Sequence, residues 1–132
     1  MGMVARREIR ARQGRKNALA GAMAEDSVAQ RYSARGADLL ARRHRNPGGE
    51  IDIVARQDDI LIFVEVKRRG RKVADSSPVA EFQWQRLEAA ANHYILSHNN
   101  AVGDIAGVRF DVAVVGESGL EIIENARSFE QS

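Results

Sequence analysis

Four side chains of this 132-residue chain have the types and spacing to do chemistry together: Glu25, Asp52, Glu65 and Lys67. Asp52 lies in the alternating run Glu50 to Ala55 (EIDIVA), and Glu65 and Lys67 lie in Ile60 to Lys67 (ILIFVEVK). Gln57-Asp58-Asp59 between the runs reads as a hairpin turn. A period of two puts Ile51 and Ile53 on one face and Glu50, Asp52 and Val54 on the other. Likewise Leu61, Phe63, Glu65 and Lys67 share a face. A two-residue turn at Asp58-Asp59 then sets Asp52 opposite Glu65 and Glu50 opposite Lys67. Two carboxylates facing each other among Val and Phe neighbours repel and are costly to desolvate, and a bound dication would resolve both costs. Mg²⁺ suits such a pair, because it takes one or two carboxylates and fills its remaining positions with water and substrate phosphate. Lys67 would stand beside the ion, where an ammonium can position a metal-bound water and counter charge on an attacked phosphate. Glu25 falls between Ala29 and Tyr32 on a helical wheel, inside the stripe that should face the core, so something must satisfy it. If its helix crosses the sheet face of Asp52 and Glu65, it becomes a third acid of the group. Plainer readings are a solvated cross-strand salt-bridge ladder of Glu50, Glu65 and Lys67, and a Glu25 paired with an arginine such as Arg109.

The elements that must position these groups follow from periodicity. A helix runs from Ala18 to a stop at Gly36, with Ala18, Ala22, Val28, Ala29 and Tyr32 on one stripe. Asp38 to Arg43 is a short strand, and Asn46-Pro47-Gly48-Gly49 is a turn leading into the hairpin just described. Arg68 to Ser77 is a basic, turn-rich loop. Ser77-Pro78 starts a second helix that ends near Ser97 and packs through Val79, Phe82, Leu87, Ala90, Ala91, Tyr94 and Ile95. Val108 to Val115 and Leu120 to Glu124 are two more strands, joined by Gly116-Glu117-Ser118-Gly119. The order is αβββαββ in one α/β (α+β) domain over residues 18–126, with a basic N-terminal tail at 1–17 and a short C-terminal tail at 127–132.

Bulk composition narrows the function classes. Without cysteine there are no disulfides, thiolate metal sites or cysteine nucleophiles. No apolar run approaches the roughly 20 residues needed to span a bilayer, so a cytoplasmic protein without membrane contact is expected. The formal net charge of +2 hides an asymmetry: residues 1–72 hold 17 Lys or Arg against 9 Asp or Glu, and residues 73–132 hold 3 against 9. A basic half around an acidic group suits a polyanionic partner, nucleic acid above all. Arg45, Arg68, Arg69, Arg71, Lys72 and Arg86 are the candidate phosphate contacts. The arginine-rich stretch Arg6 to Lys16 fits either a nucleic-acid-binding arm or an organellar transit peptide. His44, His93 and His98 lack metal-binding helical spacing and read as surface or capping residues. No P-loop, dinucleotide fingerprint or nucleophile elbow is present.

The stretch Gly49-Glu50-Ile51-Asp52, followed at a distance by Glu65-Val66-Lys67, resembles the PD-(D/E)XK nuclease superfamily. From about Ala18 to Val115 the chain is similar to the YraN-like family of uncharacterised bacterial proteins, which are regarded as endonucleases related to Holliday-junction resolvases. The likeness includes Glu25, GEID at Gly49 to Asp52, FVEVK at Phe63 to Lys67, Gln85-Arg86-Leu87 and Arg109-Phe110-Asp111-Val112. It implies a restriction-endonuclease-like core with a mixed central sheet flanked by helices. It also implies Asp52 and Glu65 as metal ligands, Lys67 as the catalytic lysine, Glu25 as an accessory acid and metal ligand, and Mg²⁺ or Mn²⁺ as the cofactor, with Glu50 and Gln85 as accessory positions. Two departures stand out: Ala24 occupies a position usually glycine, and Trp84 one that is often lysine, which removes a phosphate contact.

Three functions are therefore weighed: an Mg²⁺-dependent endonuclease acting on DNA, branched or junction DNA included, for which a homodimer would suit symmetric cutting; a nucleic-acid-binding module without turnover; and an interaction domain that recruits a partner through an exposed Trp84.

Overall fold

A computed structural model describes residues 20–69, 79–98 and 103–127. The expected N-terminal tail, Ser77-Pro78, Arg71, Lys72 and residues 128–132 lie outside the described residues. Helix α1 covers residues 20–34. Its end is set by Gly36 at φ 92°, where Gly36 N–H bonds Ser33 O at 3.0 Å and Ala37 N–H bonds Tyr32 O at 3.0 Å. These paired bonds make a Schellman stop, which needs the left-handed conformation that glycine supplies without strain. The strands and second helix follow as β1 (Asp38–Asn46), β2 (Gly49–Gln57), β3 (Ile60–Arg68), α2 (Glu81–Ser97), β4 (Gly107–Gly116) and β5 (Gly119–Arg127). β5 runs to Arg127, one residue past the expected domain boundary. Arg127 belongs to the fold, since its guanidinium bonds Glu81 and Glu88 of α2.

The five strands form one sheet in the order β1-β2-β3-β4-β5. Neighbours are antiparallel except β3 and β4, which run parallel because α2 carries the chain back between them. The sheet is thus mixed and helix-flanked, consistent with a restriction-endonuclease-like fold. Each face has its own core. Val28, Ala29, Tyr32 and Ala37 pack on Ile53, Ala55, Ile62, Val64 and Ala113. Trp84, Leu87, Ala90, Ala91 and Tyr94 pack on Val54, Leu61, Phe63, Phe110, Val112 and Val114. No described helix is long and apolar enough to cross a membrane.

The hairpin register matches the expectation from Gln57↔Ile60 to Ile53↔Val64, with Asp58 at φ 54° in the turn. Beyond Ile53 it departs. Ile51 packs into the α2-side core, and Ile53 into the α1-side core, so they do not share a face. The alternation breaks at Asp52, where the β2–β3 ladder ends and the Asp52 carboxylate accepts the Val66 N–H at 2.8 Å. A side chain has replaced a strand carbonyl as the acceptor, and the two strands part around it.

The packing face expected of the second helix holds at Val79, Leu87, Ala90, Ala91, Tyr94 and Ile95 and differs in the first turn. Trp84 is 8% exposed, whereas Phe82 is 60% exposed. Trp84 lies edge-on to Phe110 and beneath the Arg127 guanidinium. The stripe that meets the sheet is Trp84, Leu87, Ala91 and Tyr94, and an exposed tryptophan is not available to recruit a partner.

Candidate functional site

The parting of β2 and β3 builds the site. Antiparallel β2 begins where β3 ends, so Asp52 and Glu65 meet at one end of the sheet, and Glu65 and Lys67 share a face two residues apart. Their β4 partners, Val112 and Val114, lie in the α2-side core and give the pair an apolar floor. Lys67 Nζ stands 3.3 Å from Glu65 Oε1, with both side chains about a quarter exposed or less. Burial above all, and then the neighbouring Glu65, push the Asp52 carboxyl up to about 7, with smaller contributions from Glu25 and Glu50, while the Val66 N–H pulls the other way. The acids are therefore close enough to oppose one another's charge. Glu50 is not opposite Lys67: the ladder has ended, and Glu50 pairs instead with Arg45 at 3.6 Å on the surface.

Glu25 is buried, as its place on the wheel required. Its partner is an arginine, as the plainer reading expects, but Arg43 rather than Arg109. Arg43 Nε donates to both Glu25 oxygens, at 3.2 and 3.0 Å. Among the described residues, no three acids or histidines stand together as an ion's ligand set. Arg109 is engaged elsewhere, with Asp111 at 2.8 and 3.0 Å. Arg43 itself adopts φ 49° inside β1. A non-glycine residue in this region costs about 1–3 kcal/mol and persists where its surroundings over-determine it.

Asp52 and Glu65 fit a hard dication. They offer oxygen donors, they are part-buried, and their mutual repulsion is unrelieved by any described cation other than Lys67 on Glu65. A pair of carboxylates with waters completing the shell is the way Mg²⁺ is commonly held.

The basic residues are distributed around this end of the sheet. Arg68 and Arg69 follow Lys67 and are exposed, and Arg45 lies one residue before the end of β1 with its side chain 83% exposed. Arg86 is exposed on α2 with its guanidinium over the Phe82 ring, and Gln85 is exposed beside it. The β1–β2 turn is seated near Arg86. Asn46 Nδ2 donates to Ala90 O at 2.9 Å, and its Oδ1 accepts Gly48 N–H at 2.8 Å. A Cβ on Gly48 would lie 2.5 Å from the Ala89 carbonyl carbon, so only glycine allows this approach. His98 caps α2 by bonding Tyr94 O, and its ring stacks on Tyr94 while His44 lies edge-on to both.

Sequence reasoning missed Arg43 and Asn46. The Asn46-Pro47-Gly48-Gly49 pattern marks Asn46 only as a turn former. Nothing in Arg42-Arg43-His44-Arg45 marks the second arginine, but a buried Glu25 demands a cation, and that demand was the available signal.

A sequence model of Uncharacterised protein family UPF0102 matches residues 24–115. The chain is similar to a UPF0102 protein of Ruegeria pomeroyi, 42% identical over 117 residues that cover 88% of this chain and 94% of the relative. It is similar to one of Cereibacter sphaeroides, 39% identical over 108 residues covering 81% and 91%. A UPF0102 protein of Dinoroseobacter shibae is 40% identical over 114 residues, covering 83% and 82%.

Proposed function

We propose, on the premise that the chain belongs to the uncharacterised protein family UPF0102, that it is a metal-dependent endonuclease hydrolysing phosphodiester bonds in DNA. The observation that carries this reading is the meeting of Asp52 and Glu65 where β2 and β3 part, with the Lys67 ammonium 3.3 Å from Glu65. Asp52 and Glu65 would hold Mg²⁺ or Mn²⁺. When bound, such an ion supplies a Lewis acid for the phosphate and lowers the pKa of a coordinated water. Asp52 is fixed by the Val66 N–H through one oxygen, which leaves the other for binding. Lys67 supplies a cation and a proton donor for the phosphate oxygens, and Glu65 fixes its position. Exposed Arg45, Arg68, Arg69 and Arg86 draw in the polyanion, and Arg71 and Lys72 extend the same basic loop in sequence. Junction or branched DNA as substrate would call for a symmetric homodimer with one site per copy.

The test is a cleavage panel. Labelled linear, flapped, single-stranded and four-way DNA are incubated with Mg²⁺ or Mn²⁺ and wild type, Asp52→Asn or Lys67→Ala. Wild type should cut at least one form, and each variant should be slower by about 10²–10³-fold, the loss typical of removing one electrostatic or acid–base group. Equal cutting by all three proteins removes this site as the source. The capture of Glu25 by Arg43 favours a second reading, a nucleic-acid-binding module without turnover, which would retain labelled DNA uncut in every arm.

A further inference from the structure

Three described non-glycine residues have positive φ: Arg43, Asp58 and Asn125. Aspartate and asparagine tolerate this region because their short polar side chains bond locally. Asp58 sits in a hairpin turn, and the Asn125 N–H reaches Asp111 Oδ1 at 2.9 Å. Arginine has no such excuse. Arg43 lies within β1, between the pairs Arg42↔Ile53 and His44↔Ile51, so its position is across from Asp52. Its contacts are lopsided. Nε is held by both oxygens of Glu25, whose side chain is 11% exposed, while the Arg43 side chain is 54% exposed. No described residue partners either Nη group. The neighbouring Arg42 differs, since its Nη2 is taken by Asp26 at 2.6 Å.

A guanidinium gripped through Nε presents its two Nη groups as a fork, the shape that binds phosphate through two parallel hydrogen bonds. We infer that Arg43 is a substrate-phosphate-binding residue beside Asp52, and that Glu25 is the positioning residue that holds it rather than a ligand of the metal. The assignment rests on the nuclease reading for its substrate class, and it answers a question that reading leaves open, namely why the helix acid is buried against an arginine. The strained backbone aims the side chain, the buried acid fixes it, and the exposed fork meets the nucleic acid.

The experiment measures binding of a short labelled DNA duplex by fluorescence anisotropy across a range of salt concentrations. Ca²⁺ is present as an oxygen-seeking dication, and the DNA is checked on a gel for integrity. Wild type is compared with Arg43→Ala, Arg43→Lys, Glu25→Gln, the double variant Glu25→Gln/Arg43→Ala, and Arg35→Ala as a charge control at the far end of α1. Arg43→Ala should bind about 5–10-fold more weakly and lose about one from the slope of log affinity against log salt. Arg43→Lys should keep the slope but not the full affinity, since a lysine has no fork. Glu25→Gln is the sharpest arm: removing an acid should tighten binding of a polyanion if charge alone mattered, whereas loss of the grip weakens it. The double variant should be no weaker than Arg43→Ala. Full affinity in Arg43→Lys, tighter binding by Glu25→Gln, or an Arg43→Ala that matches the Arg35→Ala control while folded by circular dichroism overturns the assignment. If Arg43→Ala does not fold, the lysine and glutamine variants decide. Wild type that binds no DNA form overturns the nucleic-acid reading and this assignment with it; wild type that binds while these variants behave like the control overturns the assignment alone.

Discussion

Asp52 and Glu65 are an expense to the fold when no cation is bound. Their carboxylates are drawn together, Glu65 on the strand position paired with apolar Val112, and the Val66 N–H satisfies one oxygen of Asp52. Asp52→Asn removes one of the opposed charges and keeps an oxygen for that N–H. In metal-free buffer this variant should therefore unfold later than wild type, by a few degrees, since about 1 kcal/mol moves the midpoint of a domain this size by roughly 3–5 °C. Added Mg²⁺ should raise the wild-type midpoint by mass action and leave Asp52→Asn nearly unmoved. Thermal unfolding of both proteins with and without Mg²⁺ checks this, and a wild type indifferent to Mg²⁺ would count against the carboxylate pair as an ion's holder. The residue types here were legible in the sequence, because an acid near the start of one hairpin strand and an acid and a lysine two apart near the end of the other cannot avoid a common end of the hairpin. The grip on Glu25 was not. Which arginine of several reaches a buried acid depends on a local backbone twist at Arg43 that no residue type announces.

The strands were legible because alternation repeats over several residues and a one-residue slip would expose a whole buried face. Where one hydrogen bond overrides the repeat, as the Val66 N–H does at Asp52, the face assignment of Ile51 fails. Helix α2 shows a similar limit: Phe82 and Trp84 are both aromatic, and the pattern of the first turn does not say which of them meets the sheet. Two predictions belong to elements. Gly48 lets the β1–β2 turn touch the α2 backbone at Ala89 and Ala90, so Gly48→Ala should lift the turn and cost about 1–3 kcal/mol in urea unfolding. A variant as stable as wild type would mean that this contact is dispensable. At the other end of α2, burial first, and then His98 and His93, hold His44 below the ordinary imidazole value. The folded state then binds fewer protons than the unfolded chain. The stability from this group is complete above the ordinary value and is lost as pH falls through the lower folded one. The Asp52 carboxyl, raised to about 7, titrates in the same window and works the other way, so the test is a difference: the urea midpoint of His44→Gln relative to wild type should rise between about pH 7 and about pH 5 as the His44 contribution is lost from wild type.

Among the described residues two cores lie on opposite faces of one sheet, α1 on one and α2 on the other, and the candidate site lies at an end of that sheet. Apolar packing fixes α1 across the sheet but resists sliding poorly, and a polar clamp supplies the register. Asp111 on β4 is fully buried and accepts the Tyr32 hydroxyl at 2.6 Å, the Arg109 guanidinium at 2.8 and 3.0 Å, and the Asn125 N–H at 2.9 Å. One carboxylate thereby ties α1, β4 and β5. Burial and the bond to Asp111 hold the Tyr32 hydroxyl protonated well above the ordinary phenol range, so it stays a donor. Asp111→Ala leaves a buried hydroxyl and a part-buried guanidinium without their acceptor and should cost about 3–5 kcal/mol. Tyr32→Phe removes one donor from a carboxylate that keeps three others and should cost about 1–3 kcal/mol. Because both act through the same oxygens, the double variant should lose less than the two losses combined. Glu25 and Tyr32 are seven residues apart on α1, roughly 10 Å along the axis, so the clamp supports the site without touching it. Tyr32→Phe should accordingly lower the urea midpoint while leaving the salt dependence of DNA binding unchanged; additive losses in the double variant would show that Tyr32 does not act through Asp111.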